Sequence, residues 1–114
     1  MTPTQERDLI LKELEERKVE DVTTIDVASF SPFASYVILV TIDNPRALAA
    51  VQGHIEECLE KGGLNVAVKE GEPDSGWVII QGEEVIVHLL LPPNRRMLDL
   101  ETLYAQLTKK NEKA

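Results

Sequence analysis

The sequence has little cysteine, a deficit of basic residues and no long apolar run. Cys58 is the only cysteine among 114 residues, which excludes an internal disulfide and a zinc site built from several cysteines. Twelve basic residues against 20 acidic ones give a formal net charge of −8, which argues against a protein held mainly by nucleic-acid phosphates. The longest apolar runs, 37–40 and 85–91, are too short to span a bilayer, and His88 interrupts the second. We therefore expect no direct dependence on nucleic acid and no membrane association.

The length and the opening residues narrow the class of protein further. A chain of 114 residues that is 43% apolar and 28% charged is typical of one globular domain. No basic segment followed by an apolar stretch opens the sequence, so we expect no secretory signal and a cytoplasmic location. We expect a single domain over residues 1–114, with a frayed tail at 109–114.

Three helices are predicted from start signals and apolar spacing. The opening segment 2–5 supplies a hydroxyl cap, a proline and a capping-box glutamine, and an apolar stripe follows at 10–14. The Asn-Pro pair at 44–45 repeats the cap-then-proline start, and helical spacing then continues to the two glycines at 62–63. A third amphipathic pattern runs over 100–107.

Five segments rich in β-branched and apolar residues are predicted as strands, at 22–28, 36–42, 65–68, 77–80 and 85–91. The second is apolar on both faces, which favours the interior of a covered sheet. Segment 70–76 has the composition of a loop, 81–84 that of a hairpin turn with Gly82 at its tight position, and the prolines at 92–93 end the last strand. The order α-β-β-α-β-β-β-α predicts a single-domain α/β fold, a mixed sheet of about five strands with helices on its faces.

Acidic charge is concentrated in one stretch of the chain. Residues 56–84 contain eight acids and two bases and so supply −6 of the net charge. One interpretation is a solvated surface that aids solubility. The other is a face that is steered toward a basic protein partner.

The sequence offers no readable catalytic constellation. No serine lies in a G-x-S-x-G motif, no glycine-rich phosphate loop precedes a helix, and the two histidines have no metal-binding spacing. Asp26 and Asp43 end neighbouring predicted strands and could meet, although Asp26 could equally just terminate its strand. Cys58 falls on the apolar face of a helix and should be buried and unreactive. We expect no enzymatic activity, no cofactor and no metal.

Aromatic and arginine side chains are the remaining candidates for a binding role, because these types anchor protein interfaces. Tyr36, Trp77, Arg95 and Tyr104 belong to this group. Trp77 opens a strand and could instead be the main aromatic of the core, and Arg95 is expected in an exposed turn after two prolines. His88 has a structural interpretation, a satisfied strand residue, and a functional one.

An ordered series of short segments carries a resemblance to a known family. The segments are Phe33-Ala34-Ser35-Tyr36-Val37-Ile38 with Thr41 and Arg46; Glu70-Gly71; Trp77-Val78-Ile79-Ile80; Glu84-Val85-Ile86-Val87-His88; and Arg95 with Leu100-Glu101-Thr102-Leu103-Tyr104. Together with Asp26-Val27 in the first strand, they resemble the ribosomal silencing factor family, also called Iojap-like proteins. The resemblance runs from about residue 5 to residue 107 with similar spacings.

The resemblance implies a fold, a function and a partner. It implies a homodimer-forming α/β domain related in fold to nucleotidyltransferases but without their chemistry. It further implies binding to the large ribosomal subunit through the ribosomal protein numbered fourteen, which would block joining of the small subunit and repress translation under nutrient limitation. The alternative from another class is a residual nucleotide-binding or nucleotidyltransferase-like enzyme.

Five positions carry over as partner-binding candidates: Tyr36, Glu70, Trp77, His88 and Arg95. Each also has a structural alternative: core aromatics for the first and third, a loop charge, a satisfied strand residue, and an ion pair at a helix start.

Other positions depart from the family pattern. They are Ser35 in place of an aspartate, Ile42 at the start of a lost glycine-threonine-serine, Gln81 in place of an aspartate, Leu98 in place of a tyrosine, and Tyr104 in place of a tryptophan. Either the partner surface has changed in step with these positions or affinity for the usual site has fallen.

Overall fold

The computed structural model of the chain describes the backbone of residues 1–113 and the side chains of residues 1–106. The elements are α1 (Pro3–Glu16), β1 (Val22–Asp26), β2 (Tyr36–Thr41), α2 (Pro45–Lys61), β3 (Val68–Glu72), a 3-10 turn (Pro73–Ser75), β4 (Trp77–Gln81), β5 (Val85–Leu90), α3 (Pro92–Leu98) and α4 (Leu100–Lys113). The predicted fold class and element order are confirmed, with α3 as an added helix. The predicted frayed tail at 109–114 lies outside the described side chains and stays a prediction.

The five strands form one mixed sheet in the order β1-β2-β5-β4-β3. Strands β2 and β5 run parallel, and the other three neighbouring pairs are antiparallel. Residues 37–40 of β2 are at most 1% exposed, as expected for an interior strand covered on both faces. Because side chains alternate along a strand, the register divides the sheet residues into two faces with separate surroundings.

Helices α1 and α2 cover the first face of the sheet and form the larger core. Ile10 and Leu14 of α1 and Ile55 of α2 pack there against strand residues such as Ile38 and Val87. Both predicted helix starts are confirmed. In α1 the capping box is complete, and at the start of α2 the side-chain oxygen of Asn44 accepts the N–H of Ala47 at 2.8 Å.

The residues with described side chains cover the second face over only part of its width. A smaller cluster of Val27, Ala34, Val37, Leu39, Leu90 and Leu100 buries the β1, β2 and β5 side beneath α4 and the segment that follows β1. On the β4 and β3 side, the residues facing the same way are half-buried or exposed: Val68, Glu70, Glu72, Trp77, Ile79, Gln81 and Ile86. We call these seven residues the half-open face.

Two strand predictions were wrong in their bounds. Strand β1 ends at Asp26, two residues early, because the carbonyl of Val27 accepts the N–H groups of Phe30 and Ser31 in a turn. The third strand is β3, Val68–Glu72, and not 65–68. Its Glu-Gly-Glu composition is typical of a loop, but pairing along the whole of β4 holds it as an edge strand.

The prolines after β5 begin a helix, where a turn was predicted. Pro92 lies in the first turn of α3, where its missing N–H costs no hydrogen bond and its fixed φ suits the helix. The helix stops at Asp99, whose φ of 42° is left-handed. Arg95 therefore lies within a helix and not in an exposed turn.

Candidate functional site

Three aromatic side chains from three elements meet at the border of the half-open face. The indole N–H of Trp77 in β4 donates to Nδ1 of His88 in β5 at 3.0 Å, and the two rings stack with centroids 6.0 Å apart. The other ring nitrogen of His88, Nε2, lies 3.4 Å from the hydroxyl of Tyr104 in α4. We call these three residues the aromatic cluster.

The hydrogen bonds and burial keep His88 neutral. A ring nitrogen that accepts the indole N–H cannot itself carry a proton, so Nδ1 is bare and Nε2 carries the hydrogen. The His88 side chain is 6% exposed, and this burial lowers its pKa to about 4. The structure therefore agrees with the structural interpretation of His88, a strand residue whose two ring nitrogens both have hydrogen-bond partners. These partners are Trp77 and Tyr104.

Glu70, a partner-binding candidate whose structural alternative was a loop charge, lies in β3 on the same face as this cluster. His88 pairs with Ile79 in the sheet register, and Ile79 pairs with Glu70, so these three side chains form one row across the second face. In the neighbouring row Glu72 pairs with Trp77. The half-open face thus has an apolar centre and an acidic rim along β3.

Tyr36 lies on the other side of the sheet, away from the aromatic cluster. It packs with the first-face core, and the guanidinium of Arg7 in α1 lies 4.8 Å from its ring centroid. Its hydroxyl is 3.4 Å from Oγ1 of Thr4. Trp77, His88 and Glu70 share one surface region, whereas Tyr36 belongs to another.

The guanidinium of Arg95 is engaged within the protein and is not presented to solvent. It donates to Oγ1 of Thr41 at the end of β2, at 3.3 Å, and forms an ion pair with Glu101 in α4. Its side chain is 13% exposed. The contacts of Arg95 therefore agree with its structural alternative, an ion pair. Binding of a partner by Arg95 stays a prediction.

Some of the departures from the family pattern make contacts of their own. Ser35 donates its hydroxyl to Oε2 of Glu84 at 3.0 Å, and Gln81 donates its amide to the carbonyl of Phe33 at 3.0 Å. Leu98 packs on the second-face cluster. Gln81 thereby holds Phe33, whose side chain is 76% exposed, beside the half-open face.

Asp26 and Asp43 do not meet. Asp26 pairs with Tyr36 at the start of β2, whereas Asp43 follows the end of the same strand, so about 20 Å of strand separates them. The carboxylate of Asp26 accepts the N–H of Ala28, as a residue that terminates a strand commonly does.

Cys58 is buried as predicted, and this burial raises the pKa of its thiol to about 11. In the part of the chain with described side chains, no group of three or more His, Cys, Asp or Glu residues could hold a metal.

The sequence did not point to Glu6, a carboxylate of α1 that is buried at the turn between β4 and β5. It is 2% exposed, and its oxygens accept the N–H of Val85 at 2.8 Å and that of Glu84 at 3.1 Å and 3.2 Å. Gly82 lies beside it, and a Cβ at this position would be 2.8 Å from a Glu6 oxygen, so a larger residue would displace the carboxylate from its hydrogen bonds. Gly82 directly precedes Glu83 and Glu84, and a glycine at this point indicated that another group comes close to the backbone. Nothing in the sequence identified that group as Glu6.

The fold matches a solved structure over most of its length. A crystal structure of a Chromobacterium violaceum protein superposes with a TM-score of 0.86 at 26% identity, covering 92% of this chain and 88% of that one. The superposition places the chain in a class of single-domain α/β proteins with a five-stranded mixed sheet.

Comparison with curated proteins and family models identifies the family. The model described as "Ribosomal silencing factor during starvation" matches residues 2–114. The Chromobacterium violaceum protein named "Ribosomal silencing factor RsfS" is 27% identical over 96 residues, which cover 84% of this chain and 79% of that protein. The Zea mays protein named "Protein Iojap, chloroplastic" is 25% identical over 99 residues, 87% of this chain and 43% of that protein. The chain belongs to the ribosomal silencing factor family.

Proposed function

We propose that this protein binds the large ribosomal subunit at its intersubunit face, through the ribosomal protein numbered fourteen, and so blocks joining of the small subunit. Translation would then be repressed when nutrients are limiting. The observation that carries the proposal is the half-open face, an incompletely covered sheet surface in a protein of this family. The proposal further places the protein in the cytoplasm and gives it no enzymatic activity.

The composition of the half-open face suits a protein partner. Its centre holds Trp77, Ile79 and Ile86, all half-buried, with the exposed Phe33 beside it. Large aromatic and aliphatic side chains in a partly covered surface are the usual anchors of an interface. A specific interface needs roughly 800 Å² from each partner, and the whole protein exposes 6696 Å².

The rim of the half-open face suits a basic partner. Glu70 and Glu72 are exposed on β3, and Asp74 follows in the 3-10 turn. Acidic groups around an apolar centre favour an approaching surface that presents lysine or arginine around an apolar side chain. A ribosomal protein that contacts RNA phosphates elsewhere on its surface fits this description.

The proposal also includes a homodimer and no association with a membrane. The resemblance implies a homodimer, and the half-open face and the exposed edges of β1 and β3 are the surfaces available for one. Among the described residues no helix is long and apolar enough to cross a membrane.

Co-sedimentation tests the proposal directly. The protein is mixed with purified large subunits, small subunits or joined ribosomes and separated on a sucrose gradient. We expect it to travel with large subunits alone, and Trp77→Ala to reduce the bound fraction. Lys12→Ala, an exposed position on α1 beyond the opposite face, is the control and should bind as the wild type does. Binding to small subunits, or turnover of a nucleotide by the free protein, would contradict the proposal.

A further inference from the structure

His88 contacts two other candidate residues, one through each of its ring nitrogens. It is 6% exposed and lies beneath the surface, so it offers a partner almost no area. Both of its ring nitrogens are directed at aromatic side chains on other elements, Trp77 in β4 and Tyr104 in α4. Its contacts therefore join the sheet to the last helix at the border of the half-open face.

We propose that His88 is a positioning residue, which acts on the partner surface through Trp77 and Tyr104 and does not touch the partner itself. This inference rests on the proposed function, in that Trp77 is taken as an anchor for the ribosomal partner. The inference also assigns the tautomer of the His88 ring. The indole N–H of Trp77 donates to Nδ1, and Nε2–H donates to the Tyr104 hydroxyl.

The geometry explains why an anchor needs such a support. Trp77 is half-buried and packs against the second-face cluster, so one part of its side chain is held by apolar contacts while another part stays accessible to a partner. The hydrogen bond to His88, at 3.0 Å, and the stacking of the two rings, with 27° between their planes, restrict both its position and its tilt. An interface side chain that is ordered before binding loses less conformational entropy on binding.

The same geometry excludes a direct role for a charged His88. An imidazolium would present an N–H to the indole N–H of Trp77 and would lose the bond that holds it. Among the residues with described side chains, the ionisable groups around the cluster are Tyr104 on α4 and, on β3, Glu72 opposite Trp77 and Glu70 opposite Ile79. A neutral ring that accepts from one side and donates to the other is the form that the contacts require.

The tautomer can be tested on the unmodified protein. The chain has two histidines and one tryptophan, so each side chain gives one set of signals in a nitrogen-proton NMR spectrum. We expect His88 to carry its proton on Nε2 near neutral pH, and the indole N–H of Trp77 to exchange slowly with solvent. A proton on Nδ1 of His88 would overturn the proposal.

Matched substitutions separate the two hydrogen bonds. In His88→Asn the side-chain oxygen takes the place of Nδ1 and keeps an acceptor for Trp77. In His88→Gln the longer amide reaches the place of Nε2 and serves Tyr104 instead. His88→Leu has neither. We expect the Trp77 indole signal to be retained in the Asn variant and to shift, with faster exchange, in the Gln and Leu variants.

We expect affinity for large subunits to fall in the variants whose Trp77 indole signal changes. Loss of the imidazole alone should not reduce it. We expect the Asn variant to bind close to the wild-type level and the Gln and Leu variants to bind roughly 2- to 10-fold more weakly. His54→Asn, at the other histidine on α2, is the control and should change neither reading. Melting temperatures of all variants identify any that fail to fold.

The possible results divide clearly. Equal loss of affinity in all three variants, with the indole signal retained in the Asn variant, would mean that the imidazole itself contacts the partner. Unchanged affinity in all three would mean that the orientation of Trp77 is irrelevant. Either result overturns the inference. If the wild-type protein fails to bind large subunits, the proposed function is wrong, whereas the tautomer and indole readings still decide whether His88 positions Trp77.

Discussion

Single buried polar residues fix how the helices and turns of this protein meet. Glu6 in α1 accepts two backbone N–H groups from the turn before β5, at the far end of the chain. Burial raises the pKa of its carboxyl, and the hydrogen bonds from the backbone partly oppose that rise. The carboxylate thus holds the first helix and the last hairpin together, at the cost of burying a charge.

We expect Glu6→Ala to lower the free energy of unfolding by about 1–3 kcal/mol, because it leaves buried N–H groups at Glu84 and Val85 without an acceptor. Glu6→Gln keeps one acceptor oxygen and should cost less. Urea unfolding followed by circular dichroism measures both. Glu16→Gln, an exposed position on the same helix, is the control and should change stability little.

The raised pKa of Glu6 also gives the stability a pH dependence. The folded state holds this proton to a higher pH than the unfolded state, whose value is near 4.5. Relative to Glu6→Gln, the wild type should therefore be most stable at low pH and should lose that advantage as pH rises through the folded pKa. Unfolding of both proteins from about pH 4 to about pH 7 tests this sign. A wild-type advantage that grows with pH would contradict it.

The pKa of His88 acts on stability in the opposite direction. Burial lowers it from 6.5 to about 4, so the unfolded state takes up the proton first as pH falls. The His88 contribution is fully present above about pH 6.5 and is lost as pH falls toward 4. Comparing the wild type with Glu6→Gln cancels this effect, because both proteins keep His88.

At the scale of whole elements, the sequence predicted the helices and central strands well and the edges poorly. The capping box at the start of α1 and the Asn44 cap of α2 are local signals, and both form as predicted. Strand β3 depends on a neighbouring strand, because pairing with β4 makes it a strand despite its glycine and two glutamates. Helix α3 begins at Pro92, a local helix-start signal, but the same two prolines also suit a turn after a strand.

The candidate site divides in the same way. Residue types identified Trp77, His88 and Glu70, and the register brings them onto one face. Tyr36 was grouped with them, but the alternation along β2 places it on the other face. The sequence could not reveal this division, because it depends on how β2 and β5 pair across 49 residues of chain.

Arg95 joins three elements, and its loss tests how α3 and α4 are held on the sheet. We expect Arg95→Ala to lower the free energy of unfolding by about 1–3 kcal/mol, because its bonds to Thr41 and Glu101 are lost. Arg96→Ala, at the exposed neighbouring arginine, is the control and should have little effect. Denaturant unfolding measures both variants. If Arg95→Ala weakened binding to large subunits with no change in stability, its side chain would be an interface anchor instead of a tie between elements.

At the scale of the whole molecule, part of the acidic stretch borders the half-open face: Glu70 and Glu72 on β3, with Asp74 in the turn that follows. We expect reversal of Glu70, Glu72 and Asp74 to lysine to slow association with large subunits and to flatten its salt dependence. Rim charges act mainly on the association rate and are screened over about 8 Å at physiological salt. Reversal of Glu15, Glu16 and Glu20 on the α1 side changes the net charge equally and is the control.

Association rates at low and moderate salt distinguish the two sets of reversals. If both slow binding equally, net charge alone governs the encounter and the rim has no special place. If neither does, the acidic rim belongs to the solvated surface and the partner binds elsewhere. The melting temperature should change little in either set, because all six residues are exposed.

The size of the protein limits how it could silence a ribosome. Under the proposed function, a domain with a radius of gyration of 13.6 Å would act on a far larger particle by occupying a surface that the particle needs. Such occlusion depends on the order of addition. Mixed first with large subunits, the protein should reduce the joined particles in a sucrose gradient when small subunits follow. Added to ribosomes already joined and held by messenger and transfer RNA, it should have little effect, because its binding surface is covered.

Trp77→Ala should weaken the inhibition of joining, and Lys12→Ala should not. Equal loss of preformed and newly formed ribosomes would point to active splitting, and occlusion would then be the wrong mechanism.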